Sequence, residues 1–72
     1  MNQPKFKPGQ QWLSRDGKCT FHILSKNAWG QMNCVCISGN AIPARIWFEE
    51  TGRYYKYSED GYDLVTLIKD VE

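Results

Sequence analysis

The sequence predicts an all-β domain, either a small SH3-like barrel or a strongly curved antiparallel sheet of five to six short strands. Three observations predict it. No stretch of about eleven residues carries a helical apolar period. Turn signals recur at short, regular spacing, at Pro8-Gly9, Asp16-Gly17, Thr51-Gly52 and Asp60-Gly61. The segments between them are rich in β-branched and aromatic residues, which pack well on a pleated surface. A chain of 72 residues forms one domain near the size at which a single core holds only ~3–5 kcal/mol. An open sheet of this size would leave apolar edges and one bare face, so closure or strong curvature is expected.

Residues 1–8 form a polar, proline-punctuated arm, and the ordered domain is expected over residues 9–72. Lys7-Pro8-Gly9-Gln10 fits a type II turn, in which Pro presets φ and Gly takes the positive φ that follows. Gln11-Trp12-Leu13-Ser14 is a first strand with Trp12 as an anchor, and Arg15-Asp16-Gly17-Lys18 is a tight hairpin turn. The second strand, residues 18–25, puts Cys19, Phe21 and Ile23 on one face and Thr20, His22 and Leu24 on the other. A turn-rich loop at residues 26–30 carries Trp29, whose ring either covers one end of the barrel or serves a binding site.

Residues 31–38 make a third strand, which ends at Gly39-Asn40-Ala41-Ile42-Pro43. The stretch 44–57 follows and holds half of the aromatic residues of the chain. It reads as a hairpin turning at Thr51-Gly52. That turn pairs Glu50 with Arg53 and Trp47 with Lys56, which puts Ile46, Phe48, Tyr55 and Tyr57 on a core face. Arg45, Trp47, Glu49, Tyr54 and Lys56 then share the outer face. A loop one residue longer would mix the two sets. Ser58-Glu59-Asp60-Gly61 turns the chain into a final strand over residues 62–68.

Composition narrows the function. Aromatic residues at 14% and hydrophobic residues at 42% suit a globule, alone or as a homo-oligomer. No segment has the apolar length of a membrane span, and the N-terminus lacks the apolar run of a signal peptide, so a cytoplasmic protein without a membrane partner is expected. Three cysteines lack zinc-finger spacing and fit free thiols in a reducing compartment. The net charge of +1 divides into +5 for residues 1–45 and −4 for residues 46–72. Interleaving of the halves gives a mixed solvated surface; segregation gives patches suited to an anionic ligand or to head-to-tail association.

The spacing Gly9-Gln10-x-Trp12, Arg15-Asp16-Gly17, Trp47, Gly52-Arg53-Tyr54-Tyr55 and Gly61-Tyr62-Asp63-Leu64-Val65 resembles a pattern in short phage and prophage proteins of largely unknown function. It spans most of the chain. The resemblance implies a phage-type origin and a small protein that binds a host protein or captures a small molecule of host defence. Its elements are turn and core residues, and it carries no catalytic residue with it.

No enzyme is expected. Glu49-Glu50 and Glu59-Asp60 are adjacent pairs whose side chains point apart, there is no nucleophile elbow, and the glycines stand singly at turns. If the second and third strands pair around Ala28, His22 lies opposite Cys34, with Cys36 on the same face, a set of ligands for Zn²⁺ or Cu⁺. Packing of small apolar thiols beside a self-satisfied histidine is the stronger reading, so no cofactor and no metal are expected. What remains is a non-catalytic binding module. Arg45, Trp47, Tyr54 and Lys56 have the composition of an interaction hot spot, with Trp29 as a further binding aromatic, and a host protein is the expected partner. The alternative is a small nucleotide-like or short oligonucleotide ligand, held by ring stacking on Trp29, Trp47 or Tyr54 and by nearby Lys and Arg.

Overall fold

The computed structural model describes residues 6–41 and 44–71. Its five antiparallel strands, β1 (Gln11–Ser14), β2 (Thr20–Lys26), β3 (Met32–Ser38), β4 (Arg45–Phe48) and β5 (Leu64–Lys69), form one sheet in the order β4-β3-β2-β1-β5. Four strands meander, and the last returns beside the first. Among the described residues the ladder is not closed, with β4 and β5 as its edges, and the all-β arrangement of five short antiparallel strands is consistent with both expected architectures, the small barrel and the curved sheet. Register shifts break the β2–β3 ladder twice and the β1–β5 ladder twice. Such bulges bend and twist the strands they occupy. Among the described residues no helix is long and apolar enough to cross a membrane.

Alternation sets the core. Phe21 and Ile23 from β2, Met32 and Cys34 from β3, Ile46 and Phe48 from β4, Trp12 from β1 and Leu64 from β5 are buried on one face, with Cys19 beside them. Phe21 meets Phe48 edge-on at 5.1 Å between ring centroids and Tyr62 at 5.9 Å, the geometry that aromatic quadrupoles favour. The first turn forms as expected, with Gln10 N–H donating to the Lys7 carbonyl at 3.2 Å. Asp16-Gly17 lies in a wider loop than a two-residue turn, closed by Ser14 N–H donating to the Cys19 carbonyl at 2.8 Å.

Phe6, assigned to the arm from sequence, is a core residue whose ring lies 4.4 Å from that of Trp12; residues 1–5 of that arm lie outside the described residues. Buried Gln10 ties this corner together. Its Oε1 accepts from Trp12 Nε1 at 2.9 Å and from Lys7 N–H at 2.8 Å, while its Nε2 donates to Asp70 at 2.8 Å. The expected strand end at residues 42 and 43 also lies outside the described residues.

The hairpin over residues 44–57 is the main departure. β4 forms, but its loop is one residue longer than Thr51-Gly52 implies: Glu49 N–H donates to the Arg53 carbonyl and Gly52 N–H to the Glu49 carbonyl, both at 2.8 Å. Gly52 adopts φ +86°, and a Cβ there would overlap the Phe6 ring, so glycine is required twice over. The return strand stops at Arg53 because stronger partners claim its backbone. The Gly52 carbonyl accepts from Leu64 N–H at 2.9 Å, and Tyr54 N–H donates to Asp63 Oδ1 at 2.9 Å. Asp63 is buried, and its Oδ2 also accepts from Asp60 N–H at 3.0 Å and from Arg15 Nη2 at 3.1 Å. Instead of a sixth strand, residues 54–63 form a loop strapped down by this carboxylate, with a single bridge between Tyr55 and Ser58.

Candidate functional site

The outer face of the sheet follows from the register. Val35 lies opposite Arg45 on one side and His22 on the other, His22 opposite Gln11, and Gln11 opposite Lys69. Residues directly opposite in an antiparallel ladder share a face. One row, Arg45-Val35-His22-Gln11-Lys69, therefore crosses the whole sheet. Trp47, opposite Asn33, stands beside its β4 end, and Leu24 and Ile37 add exposed apolar surface. The ladder bond from Cys36 N–H to the Ala44 carbonyl, 2.8 Å, fixes the phase of β4. In that phase the backbone groups of Arg45 and Trp47 point to the open edge.

The charges of this face have one sign. Arg45 and Lys69 stand at its two ends, Lys26 at the end of β2 is the remaining charged strand residue, and every Asp and Glu among the described residues lies outside the five strands. Acidic residues gather instead in the loops, notably Glu49, Glu50, Glu59, Asp60 and Asp63 between β4 and β5. Several carboxylates are committed to local structure. Asp16 accepts from the Ser14 hydroxyl at 2.6 Å and from Lys18 N–H at 2.9 Å, and those bonds hold its pKa below 3.8. Asp70 is likewise held below 3.8, first by its bond from Gln10.

The residues singled out from sequence do not form one site. Arg45 and Trp47 share the outer face of β4, as expected, and Trp47 is 53% exposed. Tyr54 does not join them. Its backbone is held by Asp63, which turns its ring onto the core side, 6.1 Å from Phe48 and 5.6 Å from Tyr62. Lys56 lies in the loop, with its ammonium 5.5 Å from the centroid of the Tyr57 ring. Tyr55 and Tyr57, expected in the core, are exposed, Tyr57 at 86%. Trp29 covers no end of the sheet: it is 77% exposed on the β2–β3 loop, where its N–H caps the Asn27 side chain at 2.9 Å.

His22, Cys34 and Cys36 do not converge. The β2–β3 register is offset by one residue from a simple hairpin at Ala28, so Ile23 faces Cys34 and Phe21 faces Cys36, while His22 faces Val35 on the outer surface. Among the described residues no three metal-ligating side chains come together. The row from Arg45 to Lys69 was missed from sequence because it depends on strand order and on bulges. The absence of acidic residues from every strand segment was the available signal. Comparison with protein families, curated proteins and solved structures returned no match.

Proposed function

We propose that this protein is a non-catalytic binding module, a phage or prophage accessory protein that engages a host protein through the outer face of the β3–β4 ribbon. The observation that carries the reading is the exposed Trp47 beside Arg45 on an open edge strand, in a sheet whose strands bear cations and no carboxylate. A half-exposed tryptophan beside arginine on a strand face has the composition of an interface anchor. Such a face suits a partner that presents acidic groups around an apolar contact. The nucleotide-like ligand is the weaker reading, because Arg15 gives its guanidinium to Asp63 and Tyr54 packs its ring inward.

The test is affinity capture from bacterial lysate with the wild type, Trp47→Ala and Tyr57→Ala, followed by identification of retained proteins. One protein held by the wild type and by Tyr57→Ala, but lost with Trp47→Ala, is the expected result. Identical capture by all three refutes the assignment of the surface. An ultraviolet-absorbing compound released on heating protein from infected cells would put ligand capture first.

A further inference from the structure

Two of the three thiols, Cys19 and Cys36, lie at the end of the β2–β3 ladder, on the core side rather than in the outer row. Phe21 faces Cys36, the next pair is Thr20 with Ser38, and Ile37 is the extra residue between them. Cys19, two residues before Phe21 on the core face, thereby stands diagonally across from Cys36. The Cys36 side chain leans the same way: its Sγ donates to the Ser38 carbonyl at 3.2 Å and lies 3.6 Å from the Gly39 carbonyl oxygen. Gly39 in turn sits on Cys19, since a Cβ added to it would be 3.0 Å from the Cys19 Cα. Burial first, then the neighbouring Cys36, raises the pKa of the Cys19 thiol.

The thiols differ in access. Cys36 is half-buried, Cys19 is buried behind it, and Cys34 is fully enclosed in the core, where burial pushes its pKa up to about 12. An accessible thiol backed by a second thiol is the arrangement of an attacking and resolving pair.

We propose that Cys19 and Cys36 form a reversible intramolecular disulfide when the protein meets a low-molecular-weight disulfide. Cys36, as thiolate, attacks one sulfur of the small disulfide; that bond breaks, a Cys36 mixed disulfide forms, and one small thiol leaves. Cys19 then gives up its proton and attacks the Cys36 sulfur, expelling the second small thiol. The protein loses two electrons and two protons, and the small disulfide becomes two thiols. Excess reductant reverses both steps.

The test is incubation of the folded protein with oxidised glutathione, then intact mass measurement and proteolytic mapping without reduction. The wild type should lose the mass of two hydrogens, carry no adduct, and show a cross-link from the Cys19 peptide to Cys36, located by fragmentation because Cys34 shares its peptide. Cys34→Ser should behave as the wild type, Cys19→Ser should accumulate one glutathione on Cys36, and Cys36→Ser should stay unmodified. A wild type that stays reduced, keeps a stable glutathione adduct, or cross-links through Cys34 overturns the proposal. Mapping of the wild type alone decides the matter if a serine variant fails to fold.

Discussion

Asp63→Ala tests whether one buried carboxylate holds the loop that replaces the expected sixth strand. The side chain accepts two backbone bonds, from Tyr54 N–H at 2.9 Å and Asp60 N–H at 3.0 Å, and two guanidinium bonds from Arg15 at 3.1 and 3.3 Å. Hydrogen bonds to a charged group contribute ~1.5–3 kcal/mol each when buried. The Arg15 side chain is 41% exposed, so its pair falls in the range of surface ion pairs, ~0–1 kcal/mol. Tyr54 and Asp60 are half-buried, and water can satisfy part of what they lose. Together these give a cost of ~3–4 kcal/mol for Asp63→Ala, most of the ~3–5 kcal/mol a core of this size holds. Asp63→Asn keeps the acceptor toward Tyr54 but turns a donor toward Asp60 and Arg15, for ~2 kcal/mol. Arg15→Ala should cost ~1 kcal/mol or less. Urea unfolding followed by tryptophan fluorescence measures all three, and the order Ala, Asn, Arg15→Ala is the expected result. An Asp63→Ala variant as stable as the wild type, or an Arg15→Ala variant equally damaged, would refute the reasoning.

Phe48→Ala, which empties the centre of the aromatic core, should cost ~3–5 kcal/mol, whereas Trp47→Ala one residue away should stay within ~0.5 kcal/mol; equal losses in thermal unfolding would mean that the β4 faces are reversed. The Asp16 pKa lies below 3.8 in the folded state, so its contribution is complete above that value and is lost as pH falls through the lower folded one. The stability gap between wild type and Asp16→Asn should therefore shrink in acid and stay constant near neutrality, as paired denaturation curves would show. Gly39, at φ +95°, has no room for a Cβ beside the Lys18 carbonyl, while Gly17, at φ +74°, faces open space. Gly17→Ala should cost ~1–2 kcal/mol from backbone strain alone, and Gly39→Ala clearly more; similar melting temperatures for the two would remove the argument.

Where side-chain alternation and local turn chemistry act together, the sequence is legible. The burial of Cys19, Phe21 and Ile23 on one face and of Ile46 and Phe48 on another strand follows from parity alone. The segment after Gly52 was not legible, because its conformation is decided by Asp63, a residue ten or so positions on whose charge reads as a solvated turn. Aromatic residues at 54, 55 and 57 favour a strand locally, and the competition between a ladder and a buried carboxylate is a tertiary matter. The same reason splits the expected site: Trp47 and Arg45 belong to β4 and keep their face, whereas Tyr54 and Lys56 inherited theirs from pairings that do not form. His22 failed as a neighbour of Cys34 because bulges at the β2–β3 ladder are invisible in a periodic pattern.

The pairing of β1 with β5 has a kinetic consequence. β1, β2, β3 and β4 each pair with a sequence neighbour, so that four of the five strands can assemble as soon as their hairpins close. β1 waits for Leu64–Lys69 to find its other side, and the entropy of closing so long a loop must be met before any of those contacts form. The Asp63 knot sits at the mouth of that loop, joining Arg15 next to β1 with the residue next to β5. Refolding should therefore be limited by this docking step, and a chain interrupted before β5 would keep an unpaired, apolar strand edge open to association with other chains.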